Sequence, residues 1–333
     1  MSVPELRRIV GAGLWRRQEV ALAGLLGLTV VVMSLLSPDF LTARNLLSMP
    51  QFFVEPGLIA LAMAFVVITG GIDLSVGSIM ALVAVVLGLA WKGLGLPLPI
   101  ATAAALLAGA LAGLLNGGLV TRLGIPPLMV TLATMAGYRG LAIGLSRGQP
   151  VSGFPQAYRW VWARPLYISP DVVTHSQLFV FIALAVVAAV VLWRTVLGRY
   201  VYAIGHNEVA ARYAGVNVDL VRLGVYLTSG LIAALAAVIA VARVNTAKAD
   251  TVGVGMELEV ITGCVLGGID IQGGRGTIVG AVLGVLIIKT VTRGLELAGV
   301  GSEFVTLVTG LLLVVAVVSN QLIRRGRAAE AAE

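Results

Sequence analysis

Long apolar runs, interrupted by short polar connections, recur along the chain from Ala21 to Leu322. A helix needs roughly 20 residues to cross about 30 Å of hydrocarbon, and the runs are of that length. They are continuous and lack the alternation of a transmembrane barrel strand, which predicts helices. The pattern predicts about ten spans, centred near residues 28, 60, 83, 109, 136, 185, 232, 263, 284 and 312.

The composition is typical of a protein that lies mostly within a lipid bilayer. Of its 333 residues 59% are hydrophobic and 12% are charged, and the mean hydropathy is +1.00. The 41 glycines suit helices that approach one another closely in a membrane. The predicted fold class is therefore all-α, a polytopic bundle of membrane helices.

The basic residues predict the orientation of this bundle. If the N-terminus lies inside, more of the 23 Lys and Arg residues fall on the inner side than in the outer loops, which favours cytoplasmic termini at both ends. This bias also explains the net charge of +7 without a nucleic-acid partner. The predicted organisation is a cytoplasmic tail over 1–18, a transmembrane domain over 19–322 and a second cytoplasmic tail over 323–333.

Two connections are long enough to carry function. The connection 148–176, on the predicted outer side, is rich in aromatic residues and proline, which favours either the membrane interface or docking of an external solute-binding protein. The connection 195–222 lies on the predicted inner side. There Asn207 and Glu208 predict the start of a short helix, and Gly215 predicts its end in a left-handed conformation. Such a helix either transmits motion from a soluble domain or belongs to an ordinary ordered loop.

The sequence offers no catalytic residue and no metal site. A phosphate loop of the form Gly-x-x-x-x-Gly-Lys-Ser/Thr is absent, so ATP binding by that device is excluded. His175 and His206 fall in opposite loops without further ligands, and Cys264 lies in an apolar run as a small core residue. Neither hydrolysis nor metal chemistry is predicted.

Charged and polar groups within the spans are candidates for function because they are expensive in a membrane. The charged ones are Glu55, Asp73, Arg139, Asp270 and Lys289. The acids fall near predicted span ends, which argues against an ion-driven carrier, and the two bases either snorkel to the interface or face a cavity.

A glycine-rich passage interrupts two spans and contains Gly70, Gly71, Asp73, Ser75 and Gly77. Its residues either cap the following helix or form a wall or gate of a solute path. The neutral groups Asn116, Thr131 and Thr134 suit an uncharged, hydroxyl-rich solute, or else hydrogen-bond one helix to another. The tetrapeptide Gly-Gly-Ile-Asp at 70–73 recurs at 267–270, which is consistent with an internal duplication.

Three passages carry a family resemblance: ITGGIDLSVGSIMAL from Ile68, GRYVYAIGHNEVAARYAGVNVDLVRLGVYLTSG from Gly198, and VLGGIDIQGGRGTIVGAVLG from Val265. Over about residues 20–322 the chain resembles the permeases of the ribose, xylose, arabinose and galactoside ABC importers. The resemblance implies an inner-membrane permease for a monosaccharide. It also implies a second permease, identical or paralogous, two ATPase subunits that hold ATP and Mg²⁺, and an extracytoplasmic sugar-binding protein.

The second passage also resembles the ATPase-contacting loop of ABC permeases. The resemblance assigns this coupling role to Gly198, Arg199, Gly205, Asn207, Glu208, Ala210, Ala211 and Gly215. Val209 separates the acid from the alanine pair, so the fit to the wider motif is loose. Other solutes stay open, namely a quorum-signalling furanose or a branched-chain amino acid, as does an ion-coupled secondary carrier.

Overall fold

The computed structural model describes residues 12–170 and 172–330, and for residues 12–17 and 319–330 only the backbone is considered. Most of the predicted tails, 1–18 and 323–333, therefore lies outside the described side chains. The described chain is almost wholly helical. Its helices are α1 (Ala12–Leu36), α2 (Ala43–Ser48), α3 (Pro50–Ile68), α4 (Val76–Gly88, followed by a π-turn Leu89–Gly93), α5 (Leu98–Arg122), α6 (Pro127–Ser146), α7 (Gln156–Ala163), α8 (Gln177–Arg194), α9 (Val196–His206), α10 (Glu208–Tyr213), α11 (Val218–Val244), α12 (Met256–Leu266), α13 (Ile278–Leu297) and α14 (Ser302–Glu330).

The helical membrane fold predicted from the sequence is confirmed. Within the described residues, eight helical segments are long and apolar enough to cross a membrane, and every predicted span centre falls inside a helix. Of the other two predicted spans, the one near residue 312 lies in α14, whose described side chains end at Val318, and the one near residue 263 corresponds to α12, which has only 11 residues. At about 1.5 Å per residue α12 covers roughly half of the hydrocarbon thickness.

The core is centred on α3, α4 and α11, whose side chains are buried on most sides. Glycine allows α5 to pack directly against α11. A Cβ atom at Gly113 of α5 would overlap the carbonyl oxygen of Tyr226, and a Cβ atom at Gly230 of α11 would overlap the carbonyl oxygen of Gly109. Small residues at such a crossing let helix backbones touch, which is the main source of packing energy inside a bilayer.

The two Gly-Gly-Ile-Asp copies follow the ends of α3 and α12, shifted by one position relative to each other. Each follows the last turn of a helix, α3 or α12, and places a glycine in the left-handed region, Gly70 at φ +80° and Gly268 at φ +84°. The backbone amide of Gly71 donates to the Val66 carbonyl at 3.0 Å, and that of Ile269 donates to the Cys264 carbonyl at 3.0 Å. Both helices therefore end by a left-handed glycine, which is the first glycine of the copy at 70–73 and the second of the copy at 267–270.

The described part of the connection 148–176 lies at the opposite end of α8 from α9. It contains α7 and an antiparallel hairpin of β2 (Pro165–Ser169) and β3 (Val172–His175), while β1 (Val151–Ser152) pairs with β4 (Thr246–Ala247). Phe154 stacks between Trp91 and Tyr158, with ring centroids 4.6 and 5.4 Å apart. These aromatic contacts anchor the connection to the bundle.

A matched pair of substitutions on α5 tests the packing of α5 against α11. We expect Gly113→Ala to destabilise the protein by about 1–3 kcal/mol, because the added methyl group has no space against Tyr226. Gly118→Ala is the control, because no atom lies within 4 Å of its Cβ position and alanine favours a helix by about 1 kcal/mol. Thermal denaturation in detergent measures both. Equal midpoints for the two variants would contradict the proposed contact.

Candidate functional site

A buried carboxyl group, that of Asp73, lies at the centre of a polar cluster within the bundle. Its side chain is fully buried. Oδ1 accepts hydrogen bonds from the Ser75 amide at 3.0 Å and the Ser75 hydroxyl at 2.6 Å, and Oδ2 accepts one from the Ser229 hydroxyl at 2.8 Å. Asp73 therefore fastens the turn between α3 and α4 to α11.

The cluster continues from Ser75 toward α5 and α6. Asn116 donates from Nδ2 to Ser75 Oγ at 2.7 Å, and its Oδ1 accepts from the Tyr138 hydroxyl at 3.2 Å. Thr131 donates to the carbonyl oxygen of Ile72 at 3.1 Å. One polar network thus connects α4, α5, α6 and α11 around a single turn of backbone.

The structure brings together four residues predicted from the sequence, Asp73, Ser75, Asn116 and Thr131. All four are buried, so none of them lines an open cavity in this conformation. Thr134 lies apart from the cluster, because its hydroxyl bonds to the Val130 carbonyl of its own helix at 3.0 Å. The geometry supports a joint that holds four helices together, and contact with solute stays a prediction for these residues.

The three glycines of this passage have different surroundings. Gly70 is exposed and forms the left-handed turn, whereas Gly71 and Gly77 are buried. A Cβ atom at Gly71 would lie 2.7 Å from the Tyr226 hydroxyl, and one at Gly77 would overlap the carbonyl oxygen of Gly253. Gly77 therefore allows the start of α4 to touch the segment before α12.

Ser229, Tyr138 and Tyr226 belong to the cluster but were not predicted from the sequence. Ser229 lies eleven residues into α11, roughly 16 Å from the first residue of that helix. Asp73 lies between the spans that end at Ile68 and begin at Val76, near span ends as predicted, and its hydrogen bond to Ser229 reaches well inside α11. Serine and tyrosine are common in the apolar runs of membrane helices, so their presence alone does not indicate a polar cluster. The one signal in the sequence is that Tyr138 lies in the same span as Thr131 and Thr134, which is consistent with a polar face on that helix.

The segment 195–222 packs against both glycine-rich turns. A Cβ atom at Gly205 of α9 would overlap the carbonyl oxygen of Ile68, the last residue of α3. The Tyr202 hydroxyl donates to the carbonyl oxygen of Gly276 at 2.7 Å, and the Gly274 amide donates to Ile68 O at 2.8 Å. Burial raises the pKa of Tyr202 to about 12, so its hydroxyl keeps its proton as the donor at neutral pH. The three passages that carry the family resemblance therefore meet in one place.

The short helix predicted after Asn207 is present as α10. The Asn207 side chain accepts from the Ala210 amide at 3.0 Å, and Gly215 adopts φ +83° just beyond the C-cap. Ala211 is buried, whereas Val209 and Tyr213 are 61% and 90% exposed. The helix thus rests on one face and presents an apolar surface on the other.

Ion pairs join α10 to the beginning of α11. Glu208 contacts Arg212 at 3.1 Å and Arg222 at 2.8 Å, and Arg212 also contacts Asp219. Arg222 further donates to the carbonyl oxygen of Thr69 at 3.4 Å. The exposed pairs contribute little stability, but together they fix the direction of α10 relative to α3 and α11.

Three further positions of the segment 195–222 were predicted to contact the ATPase, namely Gly198, Arg199 and Ala210. Gly198 lies in the first turn of α9, where a Cβ atom would overlap the carbonyl oxygen of Leu192. Its amide donates to the Thr195 hydroxyl at 3.3 Å, which caps α9. Arg199 and Ala210 are exposed. The side chain of Arg199 forms no ion pair among the described residues, and the Ala210 amide is the donor in the Asn207 cap of α10.

Two charges within the spans form ion pairs that the sequence did not predict. Glu55 of α3 binds Arg243 of α11 through two bonds of 2.8 and 2.9 Å, and Lys289 of α13 binds Glu259 of α12 at 2.6 Å. Arg243 and Glu259 were missed because partners from distant spans are not apparent in one sequence. Among the described residues, no group of three or more His, Cys, Asp or Glu side chains is placed to hold a metal ion.

A polytopic helical bundle with a buried polar joint and an ordered helical connection at one end is the architecture of a membrane permease. Residues 51–317 match the family described as "Branched-chain amino acid transport system / permease component", and the chain belongs to this family.

Curated relatives cover nearly the whole chain. It is 39% identical to the ribose import permease protein of Bacillus subtilis over 88% of this chain and 89% of the relative. It is 38% identical to the ribose import permease protein of Escherichia coli K12, with 91% and 93% coverage. It is 34% identical to the autoinducer 2 import system permease protein of Salmonella typhimurium, with 92% and 93% coverage. No solved structure is significantly similar to the chain.

The two Gly-Gly-Ile-Asp copies supply a matched pair of variants for the polar joint. We expect Asp73→Ala to reduce uptake at least about tenfold, because two buried serine hydroxyls lose their acceptor and unsatisfied buried groups cost about 1–3 kcal/mol each. Asp270→Ala removes a carboxyl group whose side chain bonds only the Gln272 amide at a half-buried position, so uptake should change little. Uptake per folded permease is the measurement. Normal uptake by Asp73→Ala would refute the role of this joint.

Proposed function

We propose that the chain is the permease subunit of an ATP-binding-cassette importer of the bacterial inner membrane. It carries a monosaccharide, a pentose, hexose or deoxyhexose, by alternating access. A second permease, two ATPase subunits with ATP and Mg²⁺, and an extracytoplasmic sugar-binding protein complete the importer. The support for a sugar is that relatives spanning nine-tenths of the chain include ribose import permeases.

The observation that carries this proposal is the position of α9 and α10. α10 presents Val209 and Tyr213 outward, while α9 contacts the end of α3 and the turn after α12 through glycine backbones. A soluble ATPase that binds the outward face of α10 moves a unit already in contact with two core helices. Motion driven by ATP binding therefore reaches the bundle, which then changes the side to which it opens.

A furanose-type signalling molecule is the second candidate solute. It rests on the similarity to the autoinducer 2 permease, which is 34% identical over 92% of this chain. Both candidates are small, neutral and rich in hydroxyl groups. A binding measurement on the partner sugar-binding protein, with ribose and the furanose as separate ligands, distinguishes them.

An ion-coupled carrier is disfavoured by the charges within the spans. Glu55 and Lys289 are paired with opposite charges, and Asp73 is enclosed by hydroxyl donors. A carrier driven by protons or sodium needs an acidic group that exchanges with solvent, and these groups are occupied. The family named for branched-chain amino acids keeps an amino-acid solute open, and the same binding measurement tests it.

Substitutions at Gly215 test the coupling role of α10. We expect Gly215→Val to abolish ATP-dependent uptake, because a β-branched residue is strained at φ +83°. Gly215→Asn is the control, since asparagine tolerates the left-handed conformation and no atom lies within 4 Å of the Cβ position. Uptake is measured in vesicles with the ATPase and the binding protein present. Full activity of the valine variant, or uptake without ATP under an ion gradient, would contradict the proposal.

A further inference from the structure

The segment between β4 and α12 enters the bundle and reaches about its middle. Arg139 lies in α6, a helix of 20 residues, roughly 18 Å along the axis from the first residue. Its guanidinium donates to the carbonyl oxygens of Ala249 and Val252, both at 2.7 Å, and to that of Gly77 at 3.0 Å. An arginine that was predicted to snorkel or face a cavity therefore holds irregular backbone at the mid-height of a spanning helix.

Glycine contacts fix this backbone in place. Gly253 has φ +71° and Gly255 has φ +73°, and a Cβ atom at Gly253 would overlap the carbonyl oxygen of Gly77. α12 begins directly afterwards and continues to the opposite end of the bundle, the one that carries α9. Residues 248–255, the re-entrant segment, are therefore the non-helical half of a discontinuous crossing that α12 completes, which explains why α12 is half the length predicted from the sequence.

One side of the re-entrant segment is open. Lys248 and Asp250 form an ion pair of 3.0 Å with side chains 38% and 55% exposed, and Thr251 is exposed beside them. Val254 is 64% exposed and Leu258, in the first turn of α12, is 54% exposed. Irregular backbone and charged side chains at this depth do not face lipid, because lipid satisfies neither hydrogen bonds nor charge. The open side therefore faces water or protein.

We propose that the re-entrant segment lines the solute path at mid-membrane and that Asp250 and Thr251 hydrogen-bond the hydroxyl groups of a neutral sugar. A monosaccharide presents hydroxyl edges and an apolar C–H face. The open side of the segment can bind both. The Asp250 carboxylate, the Lys248 ammonium and the Thr251 hydroxyl suit the hydroxyl edges, and the apolar side chains of Val254 and Leu258 suit the C–H face. This inference rests on the proposed function and adds to it the residues that contact the solute.

Thiol accessibility tests the inference directly. Cys264 is the only cysteine of the chain and is buried, so Cys264→Ala gives a background without reactive thiols. In that background Thr251→Cys is compared with Leu111→Cys, which is 54% exposed near the middle of α5. The probe is a cationic, membrane-impermeant methanethiosulfonate, applied to vesicles that contain the whole importer.

We expect Thr251→Cys to react at least about tenfold faster than Leu111→Cys, because only a water-filled path admits a cation to this depth. The rate should also change when a non-hydrolysable ATP analogue is added. Asp250→Asn should raise the KM of uptake several-fold while the ATPase rate is retained. The inference would be overturned if the cysteine of the Thr251→Cys variant does not react in any nucleotide state. It would also be overturned if that cysteine forms a disulfide with the second permease, because the segment would then face protein and not the solute path.

The outcomes separate this inference from the proposed function. ATP-dependent uptake by Thr251→Cys together with an inert thiol leaves the importer function standing and refutes the path. Absence of ATP-dependent uptake in the Cys264→Ala background and in the unmodified chain refutes the importer function itself.

Discussion

The backbone contact between Gly205 and Ile68 is the constraint on which the proposed mechanism depends. No side chain separates α9 from the last turn of α3, because a Cβ atom at Gly205 would overlap both the Ile68 carbonyl and the Gly274 amide. The Gly274 amide is itself bonded to that carbonyl. A displacement of α9 must therefore move α3, the turn after α12, or both.

From this contact a continuous set of interactions leads into the membrane. The turn after α3 contains Asp73, whose hydrogen bonds reach α11 through Ser229 and α5 through Ser75 and Asn116. α4 starts from the same turn and touches the re-entrant segment at Gly77, where Arg139 binds both. The polar groups inside the bundle thus connect α4, α5, α6 and α11. In the proposed mechanism the buried cluster serves as a joint, and the groups open to a solute lie on the re-entrant segment.

The sequence predicted the features that local chemistry determines. Apolar runs located the helices, and Asn207 and Gly215 located the ends of α10. Features that depend on distant partners were not predictable from one sequence. Ser229 joins Asp73 from a different span, Arg243 neutralises Glu55, and Glu259 neutralises Lys289. The half-length of α12 was missed because the span was predicted only from an apolar run centred near residue 263, whereas the backbone of residues 248–255 is held out of a helix by Arg139 and by glycines at positive φ.

Coupling between ATP hydrolysis and uptake in the reconstituted importer tests the central claim most directly. We predict that Gly205→Ala retains ATPase activity and loses most uptake per ATP, because the added methyl group separates α9 from α3. Gly224→Ala, on α11 with no atom within 4 Å of its Cβ position, should behave like the unmodified chain. Unchanged uptake per ATP in the Gly205 variant would contradict transmission of motion through this contact.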